Sequence, residues 1–125
     1  MMRLFTLIVV IAFSLPSLLL ANDELLRLQQ DATQWVMPGK NYASTRYSSL
    51  GQITTDNIKN LRPAWMFSTG VLRGHEGAPL VVGSTMYVHT PFPNTVYALD
   101  LAREGAPLKW KYTPEQEPEV VAIAC

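Results

Sequence analysis

Read for its apolar and polar positions, the chain changes character at about Arg62. Beyond that point short apolar stretches alternate with glycine, proline and asparagine at regular spacing, the pattern of an antiparallel all-β fold. RPAWMFSTG predicts a strand that carries Trp65 and ends in a turn. APLVVG (Ala78 to Gly83) and TMYVHT (Thr85 to Thr90) predict two strands joined in a tight hairpin around Gly83-Ser84. PFPN predicts the next turn, because Pro91 and Pro93 have no N–H to give to a central ladder. TVYALD (Thr95 to Asp100) and PLKWKYT (Pro107 to Thr113) then follow as strands. The four form an antiparallel meander. A further strand is expected at Val120 to Ala124, broken off at Cys125, so the chain reads as a fragment.

The part before Arg62 is different. NDELLRLQQD, Asn22 to Asp31, predicts a short helix with acidic residues at its start, where they complement the helix dipole. Trp35 to Tyr47 is polar and turn-rich, and TTDNIKNL, Thr54 to Leu61, predicts one or two helical turns capped by a threonine. The first residues have another purpose. Arg3 precedes the apolar run Leu4 to Phe13, and Pro16 and Ala21 follow. A charged start, an apolar middle and a small residue at the cut describe a secretory signal peptide. Pro16, Ser14, Ser17 and the polar NDE after Ala21 favour cleavage there over a membrane anchor. The expected division is 1–21 signal peptide, 22–61 N-terminal helix and lead-in segment, and 62–125 first blade region of an incomplete domain.

Ten basic and ten acidic side chains leave no formal net charge, which argues against nucleic-acid or polybasic membrane binding. On an exported chain the single cysteine, Cys125, points to a missing partner or a reactive thiol. A lone four-stranded sheet cannot bury both faces, and such units become stable when similar sheets stack around an axis. The reading is therefore about one blade of a propeller. Trp35, Trp65 and Trp110 are read as packing residues. No carboxylate or second histidine stands at ligand spacing beside His75, and His89 lies on another strand, so both read as hydrogen-bonded structural residues.

Three stretches carry a family resemblance. YALDLAREGAPLKW, with Ala98, Asp100, Gly105 and Trp110, resembles the blade-closing signature of quinoprotein propellers, although Arg103-Glu104 and a longer spacing depart from it. RYSSLGQITTDNIKNLRPAW resembles the lead-in of pyrroloquinoline quinone (PQQ) dehydrogenases. RGHEGAPLVVGSTMYVHTPFPNTVYALDL resembles the first blade of the methanol dehydrogenase large subunit, in its lanthanide-using more than its calcium-using branch. The resemblance implies an eight-bladed β-propeller in the full-length protein. It implies PQQ with a lanthanide or calcium ion, oxidation of methanol or another primary alcohol to an aldehyde, and a periplasmic cytochrome c as acceptor. A homodimer, and in part of the family a small subunit, go with it. Rival readings are a quinoprotein dehydrogenase for longer alcohols and a non-catalytic propeller scaffold of the envelope.

Two residues then acquire roles by resemblance. Glu76, between Gly74 and Gly77 in GHEGAP, matches the glutamate that hydrogen-bonds PQQ in its ring plane, where the glycines would let the backbone come close. PQQ carries carboxylates itself, so Glu76 would have to meet a ring N–H, bind through water or take up a proton. Cys125 matches the first of two adjacent cysteines whose disulfide lies against the face of PQQ. Catalytic residues and metal ligands are expected beyond this sequence.

Overall fold

The structure, a computed structural model, describes residues 23–122, so the N-terminal apolar run and Cys125 lie outside the described residues. Four strands form one antiparallel sheet in the order β1 (Leu80–Val82), β2 (Thr85–His89), β3 (Val96–Asp100) and β4 (Leu108–Tyr112). This is the meander read from the punctuation, with each strand slightly shorter than its apolar run. Val82 pairs with Thr85 across Gly83-Ser84, and Gly83 alone of the two takes a positive φ, +59°. That is a type II′ turn, whose twist matches the strands it joins. In the next turn the Asn94 N–H donates to the Pro91 carbonyl at 2.8 Å, and the Phe92-Pro93 peptide is cis.

Strand alternation sorts the side chains onto two faces. On one, Tyr97 and Leu99 are buried with Ala106, and Phe67, Met86, Val88 and Leu101 pack around them. The Phe67 ring meets Tyr97 edge-on at 5.0 Å. The other face carries Leu80, Val82, Tyr87, Val96, Ala98, Trp110 and Tyr112 by register. Ala98 is fully buried there and Leu80, Tyr87 and Val96 are half-buried, but Trp110 is 46% exposed and Tyr112 60%, so the β4 side of this face is open among the described residues. The core is one-sided.

The lead-in segment protects the edge of β1. Trp35 and Val81 exchange both backbone hydrogen bonds at 2.9 Å, adding one bridge beside β1. The side-chain oxygen of Gln34 accepts from the Gly83 N–H at 2.6 Å. Lys40 clamps this arrangement from within: it is 5% exposed, and its ammonium donates to the carbonyls of Asp31 and Gln34 at 2.6 and 2.7 Å. At the start of the same turn the Thr33 hydroxyl and amide donate to Asp31 Oδ1, which holds that carboxyl below its usual range.

Four details depart from the sequence reading. The helix covers residues 23–28 and gives way to turns before Asp31. Residues 54–61 form a single turn ending in a 3-10 helix, Ile58–Asn60, and no threonine caps it. Asn57 closes the turn instead, accepting from the Thr54 N–H and donating to the Gln52 carbonyl, both at 2.8 Å. The amide oxygen takes the one bond and the amide nitrogen gives the other. Trp65 lies in an extended stretch with no ladder partner among the described residues, so it is not in a strand. The expected last strand is a 3-10 helix, Pro118–Ala122, over its described part. Valines favour strands only where a neighbouring strand receives them, and among the described residues none does. No helix among the described residues is long and apolar enough to cross a membrane.

Removing the Lys40 ammonium takes the donor from the Gln34 carbonyl and one of two donors from the Asp31 carbonyl, at a cost of about 1–3 kcal/mol. Lys40→Met is expected to speed amide exchange at Trp35 and Val81 by about tenfold or more. Unchanged protection at both amides would show that the clamp contributes nothing.

Candidate functional site

The sheet has two ends, and the chain's candidate chemistry gathers at one. There β1 begins, β2 ends, β3 begins and β4 ends, because His89 pairs with Val96 and Val96 with Tyr112. The loop of residues 70–79 approaches this end and carries Glu76, which is exposed and makes no ion pair among the described residues. Thr90, fully buried, braces the neighbouring turn: its hydroxyl donates to the Pro91 carbonyl at 2.7 Å and accepts from the Thr95 N–H at 3.1 Å. Thr95 and Thr113 then join hydroxyl to hydroxyl at 3.0 Å. Beyond β4, Gln116 donates to the Pro93 carbonyl at 3.3 Å, and its side-chain oxygen is buried with no partner among the described residues.

The loop itself is tied down at several points. His75 Nδ1 lies 2.8 Å from the Arg73 carbonyl, and Nε2 lies 3.0 Å from Thr69 Oγ1. A carbonyl only accepts, so Nδ1 carries the proton and, in the neutral ring, Nε2 accepts from the Thr69 hydroxyl. The Thr69 carbonyl in turn accepts from the Tyr97 hydroxyl at 2.8 Å. Arg73 lies over the Phe92 ring, 5.6 Å from its centroid, so the loop also leans on the turn between β2 and β3.

The sequence reading of this loop needs two amendments. Neither Gly74 nor Gly77 takes a positive φ; the left-handed glycine is Gly70, at +73°. Gly77 is required for a different reason, since a Cβ there would run into the His89 ring. Gly74 has open space on its Cβ side. His75 is hydrogen-bonded as read, but His89 is not: its ring packs over Gly77 and makes no hydrogen bond among the described residues. No group of three or more His, Cys, Asp or Glu side chains among the described residues is placed to hold a metal.

Beside the open side of Gly74, Glu76 thus presents an exposed carboxylate with no ion pair among the described residues. Cys125 lies outside the described residues. Tyr97, Thr69 and Arg73 were not singled out from the sequence. Thr69 and Tyr97 stand 28 positions apart, and no periodicity links them. Trp110 sits on the uncovered face with its ring 5.9 Å from that of Tyr87, and Gly105 turns the preceding loop at φ +76°.

A four-stranded antiparallel meander, buried on one face and apolar but open on the other, defines one blade of a β-propeller. The family model for the glucose/ethanol/alcohol dehydrogenase β-propeller domain, a PQQ domain, matches residues 35–125, and the chain belongs to that family. It is 62% identical over 109 residues to a lanthanide-dependent methanol dehydrogenase of Methylacidiphilum fumariolicum, covering 87% of this chain and 18% of that protein. It is 55% identical over 112 residues to methanol dehydrogenase [cytochrome c] subunit 1 of Methylobacterium organophilum, covering 90% and 18%. The solved structure of a europium-containing methanol dehydrogenase superposes with a TM-score of 0.79 at 61% identity, over 82% of this chain and 18% of that one. The chain thus spans about a fifth of the length of these relatives.

Gly77→Ala should drive the loop off the His89 ring at a cost of about 1–3 kcal/mol. Tryptic cleavage after Arg73 is then expected to rise about tenfold, and His89→Ala in the same chain should return it most of the way. Equal cleavage with and without the ring would show that the contact is not the constraint.

Proposed function

We propose that the chain is the N-terminal part of a periplasmic PQQ-dependent dehydrogenase that oxidises methanol and related primary alcohols to aldehydes, with a cytochrome c as electron acceptor. In this reading residues 1–21 are a signal peptide, 22–61 a lead-in segment and 62–125 the first blade region. A lanthanide serves as the metal in preference to calcium, in keeping with the name of the Methylacidiphilum relative. The metal ligands and the catalytic base come from later parts of the longer protein. A homodimer is the assembly, and the "subunit 1" in the Methylobacterium relative's name is in keeping with a further small subunit.

One observation carries the assignment for this chain: Glu76 is an exposed carboxylate without an ion pair among the described residues, on a loop tied to the sheet. Bound PQQ supplies the two-electron acceptor chemistry. Glu76 holds the edge of the ring system by accepting a hydrogen bond. A carboxylate is the better acceptor there, because charge-assisted bonds are shorter and about twice as strong as neutral ones. Cys125, paired with a following cysteine, covers the ring face. Supporting this, β4 returns the chain at Thr113 to the end of the sheet where the Glu76 loop lies, and Gln116 keeps it there. The open apolar face with Trp110 and Tyr112 supports a neighbouring blade packed against it.

In the full-length polypeptide, Glu76→Ala is expected to weaken PQQ binding about tenfold or more, as the loss of a charge-assisted hydrogen bond requires. Cofactor content after dialysis, read from its absorbance, checks this. Unchanged content together with unchanged turnover sinks the Glu76 assignment.

A further inference from the structure

We infer that His75 is a positioning residue for Glu76, acting through Thr69 and not by touching the cofactor. The inference rests on the reading of Glu76 as a cofactor-facing carboxylate. The chain of contacts starts in the core. Tyr97 is 9% exposed, with its ring against Phe67, so its hydroxyl is a fixed point of β3. That hydroxyl holds the Thr69 carbonyl at 2.8 Å, and the Thr69 side chain holds His75 Nε2 at 3.0 Å. The other ring nitrogen holds the Arg73 carbonyl at 2.8 Å, which curls residues 73–75 around the imidazole. Glu76 is the next residue.

On its other side Glu76 meets a second fixed point. Gly77 lies against the His89 ring so closely that a Cβ there would require the ring or the loop to shift. The carboxylate is thus carried between two backbone positions that the sheet determines, one through β3 and one through β2. His75 is exposed, so its hydrogen bonds compete with water and add little to overall stability. What they do provide is a single loop conformation, and holding a binding group in place before the ligand arrives raises affinity by sparing the ordering cost.

The two ring nitrogens can be separated by substitution. His75→Gln places an amide near the Nε2 position and keeps the link to Thr69, whereas His75→Asn reaches only the Nδ1 position and loses it. Thr69→Val removes the hydroxyl, and Thr69→Ser keeps it. PQQ is titrated into each full-length apo-variant at a constant metal concentration, and the dissociation constant is measured in wild-type and Glu76→Ala backgrounds. His75→Asn and Thr69→Val are expected to weaken binding about tenfold, and His75→Gln and Thr69→Ser less than about threefold. In the Glu76→Ala background none of the four should weaken it further, because no carboxylate is left to position. Equal losses in both backgrounds would mean that the histidine merely supports the fold, and would overturn the inference. Wild-type affinity in His75→Asn would overturn it as well, with the loss in Glu76→Ala left standing. Wild-type affinity in Glu76→Ala itself would overturn the reading of Glu76 and, with it, the role of His75.

Discussion

A buried tyrosine has to satisfy its hydroxyl, and the way Tyr97 does so governs where the rest of the site lies. Its ring completes the small core with Leu99 and Ala106, while its hydroxyl reaches out to the Thr69 carbonyl. The stretch before the sheet has no ladder of its own among the described residues. This bond, with the Phe67 ring against Tyr97, is what keeps that stretch on the sheet. From Thr69 the placement passes to His75, and so to the loop that carries Glu76. Core packing and the candidate site therefore share one residue.

The second constraint is the imbalance between the faces. One face is closed by residues from the same chain, and the other leaves Trp110, Tyr112 and Val82 in the open. Sheets bury an apolar face against another layer, and in propellers that layer is the next blade. Family membership and the 18% share of its relatives' length agree with this. The lead-in segment solves a separate problem, the unpaired edge of β1, with the Trp35–Val81 bridge and the Gln34 contact to Gly83. Lys40 ties this segment together by donating to the Gln34 carbonyl and, beside the Gln34 N–H, to the Asp31 carbonyl.

Much of the fold was legible in the chain itself. Period-two alternation, the Gly83-Ser84 turn and the prolines of PFPN are local signals, and each acts within a few residues. They determine the meander, its order and its approximate strand ends. Local signals failed where a strand needs a partner: Trp65 and Val120 to Ala122 have strand-forming composition but no ladder to join among the described residues. They also failed at residues 54–61, where Asn57 and not a threonine closes the turn.

At the candidate site the sequence by itself determined which residue types were present: Glu76, its flanking glycines and the histidine beside it. Tertiary structure alone decided how they are held. It assigned His75 to Thr69 and Arg73, set the His89 ring over Gly77, and put Gln116 beside Pro93 at the same end of the sheet. Two of these contacts, His89 with Gly77 and Gln116 with Pro93, join segments a dozen or more positions apart. Their geometry follows from the way the strands return to one end of the sheet, and hydrophobic periodicity records which face a residue takes without recording what it meets there.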